Sequence, residues 1–215
     1  MGSISVIEAK TGLKVRERGG IVEILAGSVV LLSSAALETE RAFGRLVASA
    51  GTRTPRRVLI GGLGFGATVR GVLEVAPGDA EIVVAEKVAG VVDLVRGELS
   101  HLQDGPLDEP QVRVEPADVS DVIAASAGAF DAILLDVDNG PNWASFRTNA
   151  RLYTPAGLAS ARRALAPGGV FAVWSGYPAD RFLAQLRAAG FAPSRVLLEE
   201  RGRVRARAYL GVAPP

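Results

Sequence analysis

The chain has no cysteine, which excludes disulfides, zinc–thiolate sites and a thiol nucleophile. His101 is its single histidine, so a multi-histidine metal site has too few ligands. It follows a predicted helix in Leu99-Ser100-His101-Leu102, with no acid at a triad-like spacing, and reads as a surface or helix-end residue. Charge of one sign is also missing. Lys and Arg total 24 against 23 Asp and Glu, and a net charge of +1 sets up no field that would draw nucleic acid or an anionic membrane. No apolar run is long enough to span a bilayer, and Met1 opens no signal-peptide pattern. A cytoplasmic protein acting on a small molecule, without nucleic-acid or membrane partners, is the expectation.

Hydrophobic residues make up 48% of the 215, enough for one large α/β core plus a small appendage. The first 34 residues read as that appendage. Ser3–Ala9, Leu13–Arg18, Ile21–Leu25 and Val29–Leu32 are short β-forming runs separated by Gly-containing turns. Residues 35–50 read as a helix with Leu37, Phe43, Leu46 and Val47 mostly on one face, capped at Gly51. Residues 35–215 form the expected main domain. Strands are predicted at 57–62, 81–86, 111–115, 130–136 and 168–174, and helices at 66–75, 88–100, 119–126, 155–165 and 179–189. Such alternation implies parallel strands joined by right-handed crossovers. The pattern breaks at the end: 194–200 and 204–212 are strands with only Arg201-Gly202-Arg203 between them, a hairpin.

Two strands run into special loops. Arg57-Val58-Leu59-Ile60 leads into Gly61-Gly62-Leu63-Gly64-Phe65-Gly66, where glycine lets backbone press against a ligand and the next helix begins. Glu86 ends the following strand, twenty residues after Gly66, where an acid can accept both hydrogen bonds of a ribose diol. This pattern does not by itself separate NAD from S-adenosylmethionine. Asp118 ends the third strand, and two compatible readings stand: acceptor for an adenine amino group, or N-cap of the helix at 119–126. The second special loop is Asp136-Val137-Asp138-Asn139-Gly140-Pro141, after the apolar strand Phe130 to Leu135. A carboxylate at that edge can orient an attacking amine or take its proton, and two suit a polyamine cation. Turn chemistry is the alternative for both, since Asp and Asn are common turn formers. Trp143, Trp174 and Tyr177 lie near strand ends, as pocket walls or plain packing. Arg201, Arg203, Arg205 and Arg207 alternate with small or apolar residues, which puts them on one face of the last hairpin, and they read as a solvated face.

These motifs, in this order, resemble the spermidine synthases, the polyamine aminopropyltransferases. That family has a Gly-Gly-Gly-Asp-Gly-Gly loop after a strand, then an acid after the second strand and an Asp after the third. An Asp-Ser-Ser/Thr-Asp-Pro-x-Gly-Pro loop follows its fourth strand. The resemblance covers most of the chain and implies a class I S-adenosylmethionine-dependent methyltransferase-like (Rossmann-like) α/β sandwich, its mostly parallel sheet ending in an antiparallel hairpin. It assigns Gly61, Gly62, Gly64, Gly66, Glu86, Lys87, Asp118 and Val119 to the nucleoside, with Glu86 on the ribose and Asp118 on the adenine. Asp136 takes the catalytic position, with Asp138 a loose match to the second Asp. It also implies a homodimer or tetramer. The chain departs from the family in the amine-reading half. Gly64 replaces the loop Asp that holds the donor's amine, the acidic loop is two residues shorter, and the early Gln and Tyr have no counterpart.

The resulting expectation is a transferase that moves an aminopropyl group from decarboxylated S-adenosylmethionine to an amine, without metal. Methyl transfer from intact S-adenosylmethionine is the second reading, because loss of the loop Asp could admit a carboxylate. A non-catalytic nucleoside-binding homologue is the third, and a dehydrogenase a distant fourth.

Overall fold

The computed structural model describes residues 4–8, 12–137, 140–141 and 149–215. Its first four strands, β1 (Ile4–Glu8), β2 (Leu13–Arg18), β3 (Ile21–Ala26) and β4 (Val29–Ser33), form an antiparallel sheet in that order. Leu13 and Val15 of β2 and Val22 and Ile24 of β3 are buried on one face, and Leu25 is buried beside Ile24 where the β3–β4 register shifts. A 3₁₀ turn (Ser34–Ala36) leads into α1 (Leu37–Arg45) and the short α2 (Val47–Ala50). The anticipated single helix is therefore two. Gly51 ends α2 in an extended conformation, φ −98° and ψ 177°, and not as a left-handed cap. Its successor Thr52 instead donates its N–H to Gly168 O, 3.1 Å away, so tertiary pairing sets the chain's path there.

From residue 57 the chain alternates as anticipated: β5 (Arg57–Gly61), α3 (Ala67–Leu73), β6 (Glu81–Ala85), α4 (Ala89–Arg96), β7 (Val112–Glu115), α5 (Val119–Ala125), β8 (Phe130–Leu135), α6 (Pro155–Ala164), β9 (Leu165–Ser175) and α7 (Arg181–Ala188). The antiparallel hairpin β10 (Ala192–Glu200) and β11 (Arg203–Val212) closes the chain. The seven strands lie in the order β10-β11-β9-β8-β5-β6-β7, parallel from β9 to β7, with β11 antiparallel to β9. β9 begins three residues earlier than the pattern predicts. Leu165 pairs with Phe130 across a register irregularity, so Pro167-Gly168-Gly169 is carried inside the strand as a bulge.

Period-two burial divides the core between the two faces of this sheet. Val58, Ile60, Ile82, Val84, Ala132 and Leu134 face α3, α4, the α1–α2 segment and the N-terminal sheet. Their neighbours Leu59, Val83, Ile133, Leu135 and Phe171 face α5, α6 and α7. Both faces are covered, which explains the near-continuous apolar strands. On the second face the Tyr209 hydroxyl accepts the Ala179 N–H at 2.6 Å and lies 3.1 Å from Asp180 Oδ1, to which it donates. Tyr209 is fully buried. Tyr209→Phe leaves that N–H orphaned and is expected to cost about 1–3 kcal/mol in chemical denaturation, with α7 loosened first.

Candidate active site

The cleft lies at the carboxyl ends of the parallel strands, the edge where an open α/β sheet receives ligands. It encloses about 430 Å³, within the range of small-molecule sites. Its floor is the loop after β5. Gly62 adopts φ +87°, and a Cβ there would stand 2.4 Å from Asp136 O, so only glycine lets the loop lie against the end of β8. Gly64, at φ +54°, faces the cleft directly. Gly61 and Gly66 sit behind it. A Cβ on Gly61 would meet Val119 Cγ2 at 2.8 Å, and Gly66 caps α3 against Pro106.

Glu86, just beyond β6, ties this floor together. Its Oε2 accepts Leu63 N–H at 3.0 Å and its Oε1 accepts Val88 N–H at 2.8 Å. Each oxygen keeps a further lone pair, and the side chain lines the cleft. Asp118 does cap α5: its Oδ1 accepts Ser120 N–H at 3.0 Å. Its Oδ2 lies 3.2 Å from Arg151 Nη2 and 3.8 Å from Lys87 Nζ. Burial raises this carboxyl's pKa, but the hydrogen bonds from Ser120 and Arg151 outweigh it and hold it below the usual range. Lys87 Nζ also approaches Asn149 Oδ1 at 3.4 Å, and both residues line the cleft with Val119.

Asp136 follows β8, its backbone N–H bonded to Gly61 O at 2.8 Å. Thr68 Oγ1 on α3 is 2.6 Å from its Oδ2. Burial raises the carboxyl to about 6 against the opposing pull of that hydroxyl. Thr68 suits both protonation states. It donates to the ionised carboxylate, or accepts from the acid while donating to Glu40 O at 3.3 Å.

Sequence reasoning missed Glu40. It projects from α1 into the same cleft, beside Asp136. Burial, then the Asp136 charge, raises its carboxyl well above the usual range. Glu40 and Asp136 lie deep, and what remains of their exposed surface opens into the cleft. A signal existed: Glu40 is three, four and seven residues before Phe43, Gly44 and Val47, all buried, so it is an acid on the buried face of its helix. Trp174 also lines the cleft, and its Nε1 donates to Thr39 Oγ1 at 3.3 Å. Asp138 and Trp143 lie outside the described residues, and Tyr177 is exposed. Among the described residues no three His, Cys, Asp or Glu side chains converge as metal ligands, and no helix is long and apolar enough to cross a membrane.

Fold and cleft thus define a Rossmann-like α/β protein with an acidic pocket at its glycine-loop edge. No family model matches the chain. It is 34% identical to a polyamine aminopropyltransferase of Mycobacterium tuberculosis, over 64% of this chain and 27% of that protein. It is 31% identical to a polyamine aminopropyltransferase of a Synechococcus strain, over 57% of this chain and 38% of that one. The chain therefore matches well under half the length of these relatives. The spermidine synthase of Thermotoga maritima superposes with a TM-score of 0.72 at 17% identity, over 97% of this chain and 72% of that one. That structural likeness establishes the shared fold. Together the comparisons point to the spermidine synthase, or polyamine aminopropyltransferase, family.

Proposed function

We propose that the chain is an aminopropyltransferase of the spermidine-synthase type, with decarboxylated S-adenosylmethionine as donor and a small amine as acceptor. The observation that carries this reading is the Asp136 carboxyl, opening into the cleft beside Gly62 and Gly64 and raised to about 6. Residues 35–215 are the proposed catalytic unit, and Val30 to Ser33 of the N-terminal sheet contribute a wall. The cleft's size and the glycine floor fit a nucleoside, and the spare lone pairs of Glu86 fit a ribose diol. Lys87, Asp118 and Val119 line the adenine end, where Asp118 keeps acceptor capacity beyond its capping bond.

The proposed chemistry needs position and a free lone pair. Asp136 takes a proton from the acceptor amine. The nitrogen attacks the carbon next to the sulfonium, the C–S bond breaks with its electron pair moving to sulfur, and neutral methylthioadenosine departs. A sulfonium is already a good leaving group, so holding the amine in line supplies much of the acceleration. Because Asp136 must be ionised, kcat/KM should fall about tenfold per pH unit or more steeply as the pH drops below 6, in a steady-state pH profile. A flat profile between pH 5 and 8 would remove Asp136 as the base.

Methyl transfer remains the competing reading, on the observation that Gly64 carries no side-chain charge. Calorimetric titration separates the two. Tight binding of decarboxylated S-adenosylmethionine and methylthioadenosine supports aminopropyl transfer, and tight binding of intact S-adenosylmethionine and S-adenosylhomocysteine supports methyl transfer. Binding of none of the four would sink both.

A further inference from the structure

We propose that Glu40 supplies, from α1, the carboxylate that reads the amine end of the donor, so that the cleft selects a tail ending in an ammonium without a carboxylate. The inference rests on the aminopropyl-transfer reading and assigns its donor selectivity to a residue of this chain.

Gly64 stands where the resembling family carries an acid, and by sequence alone this half of the site lacks its charge. The structure places a carboxylate in that space from the opposite wall. A Cβ built on Gly64 points to Glu40 Oε2 at 4.0 Å, so a side chain leaving the loop and the one leaving α1 meet in the same volume. Among the described residues the Glu40 carboxyl has no hydrogen-bond donor, and the charge of Asp136 acts on it. Half-buried and open to the cleft, the Glu40 carboxylate keeps lone pairs that a ligand's ammonium can fill.

Glu40 is also held in place. Thr39, its fully buried neighbour, receives the Trp174 indole N–H and donates to Ala36 O at 2.9 Å. Arg41 and Arg45 grip Glu74 beyond the end of α3, so α1 is anchored on both sides of residue 40. The other charges in the cleft are engaged elsewhere. Glu86 accepts backbone N–H groups, and Lys87 faces Asp118 and Asn149. That leaves Glu40 and Asp136 as the pair a cation would meet. Two close acids resist carrying two charges in the empty cleft, and an ammonium relieves that conflict. A tail carboxylate would aggravate it, which makes the pair a repulsive filter as well as an attractive one.

The test is calorimetry with methylthioadenosine, decarboxylated S-adenosylmethionine and S-adenosylmethionine on the full chain, on Glu40→Gln and on the Glu40→Gln, Gly64→Asp double variant. Methylthioadenosine has no charged tail and reports whether the nucleoside site is intact. Glu40→Gln should bind it as the parent does, yet lose roughly tenfold to a hundredfold in affinity for the decarboxylated donor. Its preference over the carboxylated compound should vanish. Asp tolerates the left-handed backbone at residue 64 and should restore part of that preference from the loop side. Unchanged donor preference in Glu40→Gln, with methylthioadenosine still bound, overturns the role of Glu40 alone. A parent protein that prefers the carboxylated compound overturns it too. A parent that binds no methylthioadenosine overturns the aminopropyl-transfer reading and this inference with it.

Discussion

Asp136→Asn is expected to lower turnover by about 10²–10⁴-fold and, at the same time, to make the protein more stable at neutral pH. Both effects come from one placement. The carboxyl sits at the end of β8 in a cleft that burial makes unfavourable for charge, and its pKa rises from 3.8 to about 6. Asparagine has nearly the same shape and can still accept from Thr68, but it cannot take a proton. The sign of the stability effect follows from linkage. Below about pH 4 the carboxyl is protonated in both folded and unfolded chains and costs nothing. Between pH 4 and 6 the unfolded chain ionises while the folded one resists, so stability falls as pH rises. Above pH 6 the folded protein carries the full cost, which a shift of this size puts at about 1–3 kcal/mol, allowing for the part of the carboxyl open to the cleft. Urea denaturation of parent and variant should therefore diverge at pH 7.5 and converge near pH 4. If the variant is less stable at pH 7.5, the carboxylate is satisfied in a way the present geometry does not contain.

Gly71→Ala is expected to destabilise the protein by about 2 kcal/mol or more, against its helix propensity. Replacing a helical glycine by alanine normally gains up to about 1 kcal/mol. Here a Cβ on Gly71 would stand 2.1 Å from Arg41 O and 3.1 Å from Gly44 Cα. On the facing helix, a Cβ on Gly44 would stand 2.2 Å from Thr68 O. The obstacles are backbone atoms, so α1 and α3 must separate, and overpacking of this kind typically costs about 1–3 kcal/mol and sometimes more. These two helices carry Glu40 and Thr68, so the same shift should disturb the groups around Asp136. Thermal unfolding should show a Tm lowered by about 5 °C or more, and the loss in donor affinity should exceed that of a surface control. Gly78→Ala is that control, because a Cβ there meets nothing within 4 Å. Equal behaviour of the two variants would mean the helices part without cost.

Local signals in the sequence carry much of this molecule. The apolar runs around Ile60, Val84 and Leu134 are strands because they are covered on both faces, and coverage on both faces writes itself into composition. The glycine loop, Glu86 and Asp136 are legible for a related reason. Each sits at a strand's carboxyl end, and in a parallel sheet all such ends share one edge, so an acid following an apolar run can be assigned to the site without knowing strand order. Asp118 is legible only as two compatible roles. Its cap on α5 is local, made to Ser120 two residues on, whereas its pairing with Arg151 and Lys87 depends on segments distant in the chain.

By itself, then, the sequence determined the alternation of strand and helix, the closing hairpin, the glycine floor and the acids at the strand ends. These are properties of contiguous residues and their periods. Only the tertiary structure decided that β9 carries a bulge through Pro167, that α2 ends without a left-handed cap, and that Glu40 faces Gly64 and Asp136. Each of those depends on which distant segments pack together. The approach of α1 to α3 is permitted by the absence of two side chains, at Gly44 and Gly71, and a missing Cβ acquires meaning only when a partner backbone is there to fill the space.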